Sequence, residues 1–197
     1  AWVIMKAALA YMGPFTFSSL RFITGSVTMF IIVFILRLGI PPRRYWRHLA
    51  VIGFLQTAVV FLLVMFALRF VDAGKSSVLL YSMPMWSSLL AAKFLGEKLN
   101  GVKISGLFIG LIGLLVIVGQ DIIHMKQPGV MISELLIIIA AVAWGISNVY
   151  FRKFVQDLPR VQVSAFQMLF GTIVITLTAL IMEWKEPVIW SFQSIYY

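Results

Sequence analysis

The sequence contains no cysteine, which excludes disulfides, thiolate metal sites and thiol catalysis together. Acids are scarce as well: 7 Asp and Glu stand against 16 Lys and Arg, and there are only 2 histidines. His48 and His124 lie far apart in the chain, so no two-histidine metal motif exists. There is no phosphate-cradling glycine loop with a Lys-Ser/Thr ending, no serine elbow and no pair of mid-helix carboxylates. No enzymatic activity, metal or cofactor is expected. Charged residues make up only 12% of the chain, against 61% hydrophobic, where a soluble domain carries about 25% and 45–50%. Such a chain cannot cover its outside with polar groups, so its outer solvent must be lipid. The net charge of +9 does not point to nucleic acid, because the basic residues form neither one face nor one tail. They sit in short clusters between apolar runs, the arrangement that membrane topology produces.

Those runs are long enough to cross a hydrocarbon core of about 30 Å, which needs roughly 17–25 helical residues. In order they are a first span ending near Met12, then Phe15–Leu36, Leu49–Leu68, Ser76–Lys93, Ile104–Gln120, Met131–Phe151 and Val161–Met182. The stretch 190–197 reads as the start of an eighth. The runs are continuously apolar rather than alternating, and lipid-facing backbone needs internal partners, so helices are expected rather than a barrel. Short connections carry helix-stopping signals at Gly39-Ile40-Pro41-Pro42, Asp72-Ala73-Gly74, Asn100-Gly101 and Pro128-Gly129. No signal peptide is expected, and a chain running from Ala1 to Tyr197 with an apolar start reads as a piece of a longer protein.

Lysine and arginine counts set an orientation. The connectors after spans two, four and six hold ten of these residues, among them Arg43, Arg44, Lys98 and Arg152; those after spans three, five and seven hold four, Arg69, Lys75, Lys126 and Lys185. The first group is expected in the cytoplasm, and the N-terminus with it. An offset of 146 residues lays spans six and seven on spans one and two: Lys6 meets Arg152, Ser18 meets Ser164, Arg21 meets Gln167 and Gly25 meets Gly171. Identities between the copies are few, but the basic, polar and glycine landmarks keep their phase. Five spans separate the copies, and an odd number reverses direction across the membrane, as in the inverted repeats of secondary transporters.

The stretch from Ala67 to Lys75, followed by Leu80-Tyr81-Ser82-Met83-Pro84 and Leu95-Gly96-Glu97-Lys98-Leu99, resembles the EamA-type repeat of the drug/metabolite transporter superfamily. Gly106, Gly110 and Gly113 follow at the spacing of that family's fifth helix, and Lys6, Pro14, Arg21, Trp144-Gly145 and Arg152 are similar to its remaining landmarks. The resemblance implies an all-α membrane bundle of ten helices in two inverted five-helix halves. Residues 1–120 would form the first repeat and 131–197 the start of the second. It also implies an exporter of small metabolites or drug-like molecules in a bacterial-type cell membrane, with lipid, a small-molecule substrate and a homodimer as partners. A non-transporting membrane scaffold, whose polar residues only lock helices together, is the alternative.

An ionisable group inside the bilayer costs about 2.5–3.5 kcal/mol on insertion scales. Lys6 and Arg21 both fall roughly 10 Å below the outer surface at about 1.5 Å per residue, with no acid in their helices. They could attract an anionic substrate group or snorkel to the interface. Trp144, Asn148 and Gln167 are candidates to line a route, although in lipid an Asn can equally bridge two helices. Tyr81 is a further candidate to line the route: it stands three residues before Pro84, whose missing N–H bends a helix and can free carbonyls toward a cavity. Gly106 and Gly110 form a small-residue stripe that suits close helix packing. Glu97, beside Lys98, is expected to end its helix and pair locally, with gating as the sharper alternative. No carboxylate relay of the kind proton pumps use is legible; Glu134 comes nearest.

Reporter tags in the connectors at 40–46 and 122–130 are expected on opposite faces of the membrane, the first of them cytoplasmic. Both tags on one side would overturn the threading.

Overall fold

The computed structural model of the chain describes residues 5, 11–123 and 128–184. Lys6, most of the expected first span and the expected eighth lie outside these residues. Within them, six helices are long and apolar enough to cross a membrane. They are α1 Pro14–Ile35, α2 Arg43–Ala67, α3 Ala73–Leu95, α4 Gly101–Ile123, α5 Pro128–Phe154 and α6 Arg160–Met182. No strand occurs among the described residues. Every one of the expected spans two to seven coincides with one of these helices. The helix starts differ most at α2, expected at Leu49. Its first turns carry Arg43, Arg44 and Arg47 on the outside while Tyr45, Leu49 and Ile52 are buried. That spacing of four and three is one helical face, so charge does not end the helix there.

Helix ends follow local chemistry. Pro14 opens α1, where its missing N–H is harmless. The exposed N–H groups of Phe15 and Thr16 donate to the Glu183 carboxylate at 3.0 and 2.7 Å, and the Thr16 hydroxyl adds a third bond at 2.6 Å. An acid at a helix N-terminus satisfies orphan donors and complements the helix dipole. At the other end of α1, Leu38 donates to Val33 and Arg37 to Phe34 (both 3.1 Å), with Arg37 left-handed at φ 50°. These are the paired bonds of a glycine-type helix stop, made here by an arginine. Gly96, at φ 68°, ends α3 in the same conformation.

Two helices are irregular. Residues Gly53–Val59 of α2 are π-helical, a form that concentrates at functional sites. In α3, turns at Tyr81 and Ser82 separate Ala73–Leu80 from Met83–Leu95, with Pro84 just inside the second half. The Ser82 hydroxyl donates to the Leu79 carbonyl at 2.7 Å and accepts from the Trp86 indole at 3.1 Å, which re-satisfies part of the break.

The bundle is organised around α2. On one side α1 packs along α6; on the other α3 packs along α5; α2 touches both pairs. A first buried cluster joins Val64, Leu68, Leu79, Ile137 and Ala141, and a second, toward the arginine-rich end, joins Leu49, Ile52, Val155 and Val163. Opposite these clusters, Phe34, Ile109 and Phe108 are largely exposed and present apolar surface for lipid. The α4 helix is peripheral, with Leu114 its one buried residue among those described.

Close helix approach is found at glycines outside the α4 stripe. A Cβ on Gly53 would come within 2.2 Å of the Gln167 carbonyl oxygen, and one on Gly171 within 2.3 Å of Thr57 Cβ. The backbones of α2 and α6 therefore touch. Gly145 meets the backbone of Trp86 and Ser87 in the same way, from 3.0 Å. The packing role expected of Gly106, Gly110 and Gly113 is not seen here. Among the described residues, nothing lies within 4 Å of a Cβ built on Gly106 or Gly113, and Gly110 meets only Met85 Sδ at 3.4 Å. The reason is the peripheral place of α4, which leaves most of its stripe without a neighbour among the described residues.

Gly53→Ala and Gly171→Ala are each expected to destabilise the full-length protein by about 1–3 kcal/mol through overpacking, read as a lower unfolding temperature in detergent. The same substitution at Gly25, where a Cβ would meet only the flexible end of Met168, should lower that temperature less, because the methionine side chain can move aside.

Candidate functional site

Four helices surround a cavity of about 740 Å³ that reaches from the α5–α6 connector into the bundle. On α5, Asn148 and Arg152 are four residues apart and so share a face. On α6, Arg160, Ser164 and Gln167 follow at steps of four and three, again one face. Gln56 comes from the π-helical segment of α2, Ser87 from the second half of α3, and Asp157 from the connector at 155–159. Asn148 lies six residues before the end of α5 and Gln167 seven after the start of α6, which places both roughly 10 Å below the arginine-rich end. Gln56 lies near the middle of α2. The lining is polar at depth and mixed in charge at the rim.

The polar groups at the bottom divide into bonded and available ones. Ser147 donates to the Gln56 side-chain carbonyl at 3.1 Å, which ties α5 to α2 and fixes the amide. Asn148 and Gln167 make no side-chain hydrogen bond among the described residues and line the cavity. A helix bridge is made beside Asn148 by Ser147, which joins α5 to α2. Asn148 and Gln167 are both half-buried, and amides left without a partner are costly in lipid, so a wetted cavity wall accounts for their place.

At the rim, the Arg152 guanidinium pairs with Glu97, which stands just past the left-handed turn at Gly96. Lys103 Nζ lies 3.9 Å from the second oxygen of the same carboxylate. Glu97, expected to pair locally, thus has the sequence-near cation Lys103 beside it and a second partner, Arg152, on α5. At the opposite end of the bundle Lys75 pairs with Glu134, whose side chain is 1% exposed. Arg69 there lies 4.0 Å from Glu183.

The remaining candidates are placed apart. Arg21 is on α1, with its guanidinium 3.2 Å from Met5 Sδ and over the rings of Phe22 and Phe61 at 5.9 and 5.5 Å. Its counterpart under the offset of 146, Gln167, lines the cavity in its stead. Tyr81 stands at the break in α3 and is 62% exposed. Trp144 packs against the first buried cluster. Sequence reading singled out Asn148 and Gln167 for this wall but not Ser87, Ser164, Asp157 or Arg160. The step of four from Asn148 to Arg152 was the available signal.

Comparison with known proteins accords with this architecture. The model of the EamA-like transporter family matches residues 1–119 and again 131–197. The Bacillus subtilis (strain 168) uncharacterized transporter YoaV is 30% identical over 196 residues, which is 99% of this chain and 67% of that protein. A second transporter of that organism, YvbV, is 25% identical over 96% of this chain and 61% of its own length. A probable amino-acid metabolite efflux pump of Escherichia coli (strain K12) is 28% identical over 77% of this chain. The chain spans 48%, about half, of that pump. One crystal structure superposes with a TM-score of 0.68 over 99% of this chain and 68% of its own, at 20% identity, a likeness of fold. The chain belongs to the EamA-like transporter family, and it does so as an all-α, multi-pass membrane protein.

Proposed function

We propose that the protein to which this chain belongs exports small polar metabolites by alternating access, and that amino-acid metabolites are among them. The observation that carries this reading is the cavity between α2, α3, α5 and α6, with two amides, Asn148 and Gln167, on its wall. Its mouth is at the end holding Arg43, Arg44, Lys98, Arg152 and Arg160, which the positive-inside rule assigns to the cytoplasm. A polar cavity open on that side loads solute from the cell. The similarity to a probable amino-acid metabolite efflux pump supports both the direction and the size of solute.

Asn148, Gln167 and the fixed amide of Gln56 offer donors and acceptors at about the depth where inverted-repeat transporters hold their substrates. Two helix pairs flank α2, and each is tied at both ends. The α1–α6 pair is held by Glu183 at one end and by Gln162, which donates to the Leu38 and Gly39 carbonyls at 3.0 and 2.9 Å, at the other. The α3–α5 pair is held by Lys75–Glu134 and Glu97–Arg152. Rocking of one tied pair against the other about the Gly53–Gly171 contact opens and closes the cavity. The two EamA-type repeats, residues 1–120 and 131–197, each contribute to its wall.

The test is transport by the full-length protein in sealed vesicles, with labelled amino acids as probes. Asn148→Ala and Gln56→Ala are each expected to lower the rate at subsaturating solute about five- to tenfold, the worth of one hydrogen bond. The lipid-facing Phe34→Leu should leave it unchanged. Full rates in both amide variants would remove this cavity as the route.

A further inference from the structure

We propose that Arg152 reads a carboxylate on the transported solute, and that Glu97 is the internal carboxylate which the solute displaces. The inference rests on the transport reading of this cavity and adds what the rim selects. Arg152 lines the cavity one helical turn from Asn148, so a solute moving from the mouth to the amides passes its guanidinium. That guanidinium is engaged by a carboxylate, Glu97, from a different helix. A guanidinium offers the same planar fork to any carboxylate. What now holds Arg152 is therefore chemically the same as what would replace it.

Exposure decides that the exchange is easy. The side chains of Arg152 and Glu97 are 48% and 31% exposed, whereas those of Lys75 and Glu134 at the opposite end are 20% and 1%. Exposed pairs are weak because water competes for both partners. Breaking a buried pair strands a charge in a low dielectric and is strongly resisted. The rim pair is the one that can open while the other holds.

Glu97 also has somewhere to go. Lys103 stands 3.9 Å from its second oxygen, so a carboxylate released by Arg152 keeps a cation beside it. Charge is conserved through the exchange: one carboxylate leaves the guanidinium as another arrives, with no proton moved. The remaining charged groups on the cavity wall are Asp157 and Arg160. Asp157 repels a second anion, and Arg160 is the rival reader that a test must separate from Arg152.

Leucine and leucinamide, matched except for the carboxylate, distinguish these roles in vesicles bearing the full-length protein. Glu97→Gln is expected to lower the KM for leucine about three- to tenfold and to leave that for leucinamide unchanged. Arg152→Gln should remove the preference for leucine, and adding Glu97→Gln to it should then do nothing further. Equal shifts for both compounds in Glu97→Gln, or a preference that survives Arg152→Gln and falls only in Arg160→Gln, would overturn the assignment. A second readout needs no transport. Spin labels on Lys98→Cys and Lys153→Cys, in a full-length chain free of other cysteines, report whether the rim is tied. Glu97→Gln without solute should broaden their distance distribution, and an unchanged distribution would also overturn it. Because the labels respond whether or not solute moves, failure of the exchange and failure of the transport reading are told apart.

Discussion

Hydrocarbon offers the peptide backbone nothing to bond with, and that constraint shapes nearly every feature of this molecule. Each span must satisfy its own N–H and C=O groups, so the apolar runs become helices. Whatever departs from a regular helix needs a compensating partner. The break at Tyr81 and Ser82 is patched by a serine hydroxyl and an indole. The open N-terminus of α1 is met by the carboxylate of Glu183. The π-helical stretch of α2 lies against the bare backbone of α6 at Gly171 and carries Gln56 into the cavity. Irregularity and polar chemistry occur together because only protein, or water held by protein, can accommodate either.

The few acids divide by environment into three kinds of work. Glu183 serves as a helix cap and is buried, with three short donors around it. Glu134 is sealed against Lys75 in the interior, where an ion pair is stable only while both partners remain. Glu97 stands at a wet rim between two cations, where its attachment costs little to change. One carboxylate chemistry thus yields a cap, a rivet and a latch: solvent access sets Glu97 apart, and the partner, backbone donors or an ammonium, separates Glu183 from Glu134.

The spans were legible because lipid leaves a crude, lengthwise signature: long apolar runs with charge at their ends. The first turns of α2 escaped because Arg43 to His48 are amphipathic, and a charge count cannot tell a connector from a helix lying with its basic face outward. Asn148 and Gln167 could be singled out as polar residues in apolar spans. Ser87 and Ser164 could not, since a small hydroxyl in such a helix reads the same whether it faces a cavity or a neighbour. The glycines show the limit most clearly. Gly106, Gly110 and Gly113 have the regular spacing of a packing stripe and face almost nothing among the described residues, while Gly53, Gly145 and Gly171 form no such stripe and meet a neighbouring helix at its backbone or Cβ. Spacing shows which residues share a face, but only the fold shows what stands opposite. The same holds for Glu97 and Arg152, 55 positions apart.

The cap on α1 has a consequence for how the protein is made. Its donors are at positions 15 and 16 and its acceptor at 183, separations of 168 and 167 residues. During synthesis α1 therefore enters the membrane long before the carboxylate that finishes it exists. Until α6 has been threaded and its far end reached, the start of α1 must lean on interfacial water or headgroups for those bonds. The last tie across the α1–α6 pair can form only once residue 183 has been made, so a ribosome stalled before it would leave the start of α1 uncapped.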